Sequence, residues 1–174
     1  NQDPSFKLAY RDLGEAYKII DNLKSAASAY KDLFEIDPRD TRVALDISKI
    51  YLADRDYRLA LKWADKALNL DKSSGDGFFQ KAEVYFQSWE NFQQNNSLDD
   101  RIVAKLAYNY YLKAERKGYR GETKIKYLNN LDSNFIFGKE DWFMVSSKIK
   151  RSGGISTSTA VYDWVKEILK AENN

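Results

Sequence analysis

The chain has 174 residues, 43% hydrophobic and 31% charged, with no Cys and no His. Their absence excludes disulfides, thiolate chemistry, Cys/His zinc sites and imidazole acid–base catalysis, and a net charge of +2 gives no global steering toward nucleic acid. No apolar run reaches the ~18 residues that a membrane-spanning helix needs, and the composition is globular rather than disordered.

Charge is unevenly spread. Residues 1–100 hold 14 Lys/Arg and 18 Asp/Glu, whereas 101–174 hold 14 and 8, so the two ends differ in potential. The chain opens Asn1-Gln2-Asp3-Pro4 without Met, which reads as a processed protein or an excised fragment.

The first predicted helix carries Leu8, Leu13, Ala16, Tyr17 and Ile20 near helical spacing, and the second carries Leu23, Ala26, Ala27, Tyr30, Leu33 and Phe34. Asp21-Asn22 is the turn between them. Pro38 cannot sit inside a helix and biases Asp37 away from helical dihedrals, so it ends the second helix. Asp40 or Thr41 then caps a third helix over 41–53. Asp54-Arg55-Asp56 is the next turn, and a fourth helix follows over 57–70. Phe78, Ala82 and Tyr85 lie on a fifth.

The pattern recurs at a spacing of 34. Leu13-Gly14, Tyr17, Ala26, Tyr30, Leu33 and Pro38 are followed by Ile47-Ser48, Tyr51, Ala60, Ala64, Ala67 and Lys72, and then by Lys81-Ala82 and Tyr85. Small residues recur where helices close on one another, Gly14, Ser48 and Ala82 on first helices and Ala26 and Ala60 on second ones. A large side chain there would push the axes beyond the ~8–10 Å at which helices pack. A fixed period of this length marks stacked helix–turn–helix units. In these residues the chain resembles the tetratricopeptide repeat family.

That resemblance implies an all-α, right-handed superhelix of about three repeats, with first helices forming a concave wall and second helices a convex back. The repeats are expected at 7–40, 41–74 and 75–118, with a half-repeat at 122–131. In the third, the next small position is best matched by Ala107, with Tyr111 and Ala114 following. That leaves 13 inserted residues at about 88–100, including Trp89, Phe92 and Gln93 to Asn96. They read either as a lengthened first helix with a polar loop or as a contribution to a binding face.

Residues 132–174 are expected to form a non-repeat capping tail. It contains an aromatic stretch from Asn134 to Met144 and a flexible link at 149–158. It ends in an amphipathic helix over 159–171 with Val161, Trp164, Val165, Ile168 and Leu169 on one stripe, capped by Ser158 or Thr159. The tail has three possible roles: covering the end of the last repeat, lying in the groove, or serving a partner. The stretch around Tyr127-Leu128 and Gly138 to Phe143 is similar to segments that follow repeat arrays in some exported bacterial proteins, which leans the expected location toward the bacterial cell envelope or periplasm, with the cytoplasm as the alternative.

The resemblance further implies a role in protein–protein interaction. The positions that would face a groove are Arg11, Glu15 and Lys18 (with Leu8), then Arg42, Leu45, Lys49 and Leu52, then Asp76, Phe79, Glu83 and Phe86. Mixed charge along one side and Leu45, Leu52, Phe79 and Phe86 along the other suit an amphipathic helix or extended peptide of a partner protein. Some family members clamp a chaperone's C-terminal carboxylate with Lys, Asn and Arg. The matching positions here are Arg11 and Glu15, Asp46, and Asp76 and Gln80. Three acids would repel a carboxylate, so no such binding is expected.

The alternative is a basic face at 101–128, with Arg101, Lys105, Lys113, Arg116, Lys117, Arg120 and Lys124 (and Lys126) interleaved with tyrosines. It suits an acidic protein, an anionic lipid surface or nucleic acid. No catalysis, metal or cofactor is expected. Gly153-Gly154 lacks the context of a phosphate loop, and Asp54/Asp56 do not continue as a calcium loop.

Overall fold

The computed structural model describes residues 4–93, 95–119, 122–131 and 135–170. Within them lie α1 (Pro4–Ile19), α2 (Leu23–Ile36), α3 (Thr41–Ala53), α4 (Tyr57–Leu70), α5 (Gly75–Phe92), α6 (Leu98–Arg116), α7 (Glu122–Asn129), α8 (Lys139–Met144), α9 (Ser147–Arg151) and a 3-10 turn at Ala160–Tyr162. The fold is all-α. The chain divides into two units, Asn1–Lys81 and Ala82–Asn174, with α5 running from one into the other.

The first unit holds two helical hairpins built by the same local chemistry. The turn between α1 and α2 places Asp21 in the left-handed region (φ 57), and 34 residues later Arg55 does the same between α3 and α4 (φ 59). Asx and Ser side chains then satisfy the orphan N–H groups of the helix that follows. Asn22 accepts from Ser25 N, Asp40 from Arg42 N and Val43 N, Asp56 from Leu59 N, and Ser74 from Gly77 N. In the second unit Ser97 and Asp100 form a reciprocal capping box on α6.

The small-residue positions are contacts. A Cβ on Gly14 would lie 2.5 Å from two ring carbons of Tyr30. In the next hairpin Ser48 donates to the Ala60 carbonyl (2.7 Å) and accepts from Gln80 Nε2 (3.2 Å). The hairpin core is Ala26, Ala27, Tyr30, Leu33, Val43, Ala44, Ile47, Ile50, Ala60, Ala64 and Ala67, all buried. Phe34 meets Trp63 edge-on at 5.2 Å, with Lys66 over both rings. Lys7 Nζ ties the start of α1 to Asp37 at the end of α2 (2.8 Å).

Leu13 of α1 and Ile20, just past its end, are 43% and 68% exposed despite their helical spacing. Among residues 6–19 of α1, whose burial is described, only Gly14 is buried, because α2 covers a single flank of the helix.

The extra residues of the third hairpin go mostly into helix. Counted from the matched Tyr and Ala positions, α5 runs five residues further than α3, the link at 93–97 is two longer, and α6 starts six residues earlier than α4. In the second unit α7 packs on α6. Tyr127 of α7 lies against Phe86 (5.9 Å) and Trp89 (6.5 Å), with Leu128 fully buried.

The expected C-terminal helix over 159–171 is corrected. Residues 160–162 form the 3-10 turn, and 165–170 are non-helical; position 171 lies outside the described residues. Ile155 and Leu169 instead exchange both backbone hydrogen bonds, 2.9 and 2.7 Å. Gly154 (φ +149) lets that bridge close, since a Cβ there would meet the Leu169 carbonyl and sit 2.6 Å from Ile168 Cγ2. Val161 and Ile168, on the expected apolar stripe, are exposed, while Tyr162, Trp164, Val165 and Leu169 are buried. Tertiary pairing has overridden the helical periodicity.

Candidate functional site

On the first unit the sequence-derived positions separate by burial. Arg11, Glu15, Lys18, Arg42, Lys49 and Asp76 are exposed, and Phe79 is half-buried. Leu45 and Leu52 are buried, so the apolar side of the expected groove is corrected: both side chains belong to the hairpin core. The exposed charged positions lie on α1 (Arg11, Glu15, Lys18), on α3 (Arg42, Lys49) and, for Asp76, on α5. Lys18 pairs with Glu15 (3.1 Å) and Lys49 with Asp46 (3.3 Å), each one helical turn apart.

Glu15 also accepts a short hydrogen bond from the Tyr30 hydroxyl. The Tyr30 and Lys18 bonds hold its carboxyl below the usual range. Burial and the bond to Glu15 push the Tyr30 phenol above its ordinary value.

In the second unit, Glu83 and Phe86 do not behave as groove contacts. Glu83 accepts from Tyr111 Oη (2.5 Å) and from Gln87 Nε2 (3.1 Å). Phe86 is buried among Trp89, Tyr111 and Tyr127, with Lys124 Nζ 3.7 Å from its centroid. Burial, then the Glu83 charge, pushes the Tyr111 phenol well above its ordinary value.

A phenol near 10 in the unfolded chain but higher in the fold stabilises the fold below pH 10, and that stability is lost as pH rises above 10. We therefore expect the unfolding free energy to fall through the interval above pH 10 with a Tyr111 slope approaching ~1.4 kcal/mol per unit. Urea denaturation at pH 9, 10 and 11 should show a shallower slope for Tyr111→Phe.

The basic stretch is largely engaged. Arg101 pairs with Asp141 (3.0 Å), both largely shielded from solvent, and its carbonyl accepts from Phe137 N. Lys105, Lys113 and Lys124 lie over the rings of Tyr108, Tyr110 and Phe86. Arg116, Lys117 and Lys126 are exposed; Arg120 lies outside the described residues.

What sequence reasoning did not give is the set of contacts by which the tail docks on α5 and α6. Asp99 Oδ2 accepts from the backbone N–H of Ser158 (2.8 Å) and Thr159 (2.7 Å), the two residues expected to cap a helix. Tyr162 Oη donates to Asp100 (2.8 Å). Glu167 receives Tyr85 Oη (3.0 Å) and Tyr110 Oη (2.6 Å), and Trp164 stacks on Tyr85 at 5.9 Å. The signal in the sequence was the adjacent acid pair Asp99-Asp100 in the first turn of α6. Among the described residues no cluster of three or more acids is placed to hold a metal ion, and no helix is long and apolar enough to cross a membrane.

No family model and no curated protein sequence matches the chain. Solved structures do. The MamA protein matches with a TM-score of 0.56 and 16% identity over 74% of this chain, which spans 64% of the MamA chain. The first tetratricopeptide domain of Spaghetti (RPAP3), bound to an HSP90 peptide, gives 0.53 and 16% over 73% of this chain and 93% of its own. The Sgt2 tetratricopeptide domain of Aspergillus fumigatus gives 0.54 and 16% over 73% and 78%. The fold is that of tetratricopeptide repeats. The 34-residue period, the paired left-handed turns and the small-residue contacts are the repeat's own geometry. At this identity the likeness carries the fold.

Proposed function

We propose that this tetratricopeptide-fold chain is a protein-interaction module that binds a peptide or helical segment of a partner protein along the first-helix strip of α1 and α3. The carrying observation is the charge arrangement: Arg11, Lys18, Arg42 and Lys49 are exposed on consecutive first helices. The acids beside them, Glu15 and Asp46, are already engaged by Lys18 and Lys49 within their own helices. The side chains presented outward are thus polar and of both signs, with the half-buried Phe79 of α5 as the apolar position. That suits a segment carrying acidic residues near an apolar anchor, held by binding alone.

RPAP3 is seen with an HSP90 peptide and a domain of yeast Sti1 with an Hsp70 one. A peptide on this chain follows that general mode without a carboxylate clamp, because Glu15, Asp46 and Asp76 occupy motif positions that match the family's clamp residues and would repel a carboxylate.

The test is selection from a displayed peptide library, followed by titration of the selected peptides. A variant with Arg11→Glu, Arg42→Glu and Lys49→Glu, all at exposed sites, is expected to fold normally and bind at least ~10-fold more weakly. Equal binding by both forms would remove the strip as the site.

A further inference from the structure

We propose that α8 and α9 form a peripheral docking site for an anionic lipid surface, with Phe143 and Met144 entering the bilayer interface and the cations beside them meeting lipid headgroups. Phe143 and Met144 are each 83% exposed, more than any other large apolar side chain described in the second unit. Residues 135–138 precede α8 and 145–170 follow it, and neither stretch covers the pair.

The helix that carries them is nonetheless fixed. Asp141 accepts from Gly138 N (3.0 Å) and pairs with Arg101 of α6 (3.0 Å), and Phe137 N donates to the Arg101 carbonyl (3.0 Å). Trp142 meets Phe137 edge-on at 5.9 Å. Of three consecutive large apolar residues, Trp142 therefore turns to Phe137, while Phe143 and Met144 are held outward. A pair already held in place loses little freedom on docking.

Charge selects the occupant. Lys139, Lys148, Lys150 and Arg151 are exposed, and none of them pairs with an acid among the described residues. The acids in the same stretch are Glu140 and Asp141, and Asp141 is already paired with Arg101. Lys148 and Arg151, three residues apart, share a side of α9. Lys150 Nζ donates to the Phe143 carbonyl (3.2 Å) and lies 5.8 Å from its ring centroid. A positive charge thus sits at the base of the apolar tip. With the ring in the interface that charge lies at headgroup level, as aromatic and basic side chains do on anionic membranes. Fluid lipid also accepts a projecting pair without a matching pocket, which a protein partner would have to supply. Two inserted side chains and four cations give an attraction comparable to one myristoyl chain, so half-binding is expected near ~0.1–1 mM lipid.

Co-sedimentation of the full chain with vesicles tests this, using phosphatidylcholine alone and phosphatidylcholine with about 30% phosphatidylserine. Binding is expected to the mixed vesicles only, and to fall about 10-fold or more in ~0.5 M salt. Phe143→Ala/Met144→Ala and Lys148→Glu/Arg151→Glu should each weaken it at least ~10-fold with an unchanged helical spectrum, because all four side chains are exposed. Arg116→Glu/Lys117→Glu makes the same charge change at exposed sites on and just after α6 and should leave most of the binding intact. Absence of binding to the mixed vesicles overturns the proposal and leaves a protein with an acid-rimmed pocket as the occupant. Binding that survives Phe143→Ala/Met144→Ala, or that the α6 variant weakens as much as the α9 one, also overturns it. The site shares no residue with the strip on α1 and α3, and vesicles carry no peptide, so the two readings fail separately.

Discussion

Trp164→Ala is expected to lower the unfolding free energy by about 3 kcal/mol and to free the tail before the repeats melt. Trp164 is buried and stacks on Tyr85 at an interplanar angle of 15°, and Tyr85 in turn lies 5.9 Å from Tyr110. Truncating the indole removes the apolar contact that holds this part of the tail against α5 and α6. It leaves the Glu167 bridge to Tyr85 and Tyr110 as the polar anchor on α5 and α6, beside the smaller buried side chains Val165 and Leu169. Those hydrogen bonds are worth roughly 1–3 kcal/mol together, which does not offset a lost indole. Asp99 and Asp100 still bind Ser158, Thr159 and Tyr162, so the segment should fray from Trp164 onward.

Limited proteolysis should then cut first within 163–170, well below the global melting temperature. A cut pattern spread over α3 to α6 at one temperature would mean that tail and repeats unfold as one unit. An unchanged melting curve would mean that Trp164 contributes nothing to the docking.

The same contacts explain what was legible in the sequence. The hairpins are written locally: Asp21 and Arg55 make the turns, Asp40 and Asp56 cap the next helices, and Gly14 and Ser48 sit at the contact points. Each signal acts within a few residues, so one chain suffices to read it. Burial depth is not local. The motif positions of Leu45 and Leu52 gave a helix face, yet both side chains lie in the core, and a lysine at Leu45 would test folding rather than binding. The tail failed for a related reason. Val161, Trp164, Val165, Ile168 and Leu169 have helical spacing, but the decisive partners are Ile155, 14 residues away, and Asp99, about 60 away. No periodicity within 159–171 carries that information. On α1 the pattern correctly gave an amphipathic helix. It could not say that Leu13 and Ile20 would be exposed.

Gly14→Ser is expected to destabilise the fold on its own by about 1–3 kcal/mol, and Tyr30→Ala should reverse the sign of that effect. On helical propensity alone, replacing a mid-helix glycine gains a few tenths of a kcal/mol or more. Here the new Cβ would lie 2.5 Å from the Tyr30 ring. That ring is buried and its hydroxyl is held by Glu15, so it cannot swing away, and overpacking prevails. The second hairpin shows the alternative solution at the same place: Ser48 stands where Gly14 does and Ala64 where Tyr30 does, both buried. The chain thus fills one contact in two ways, with the bulk on the second helix or shared between both. Tyr30→Ala alone leaves a cavity costing about 3–5 kcal/mol; in that background Gly14→Ser should recover part of the loss. A double-mutant cycle by urea denaturation measures the coupling, expected to favour the pair by ~1–3 kcal/mol. Strict additivity would mean that residues 14 and 30 do not share the contact, and that the small-residue rule of the repeat has another cause in the first hairpin.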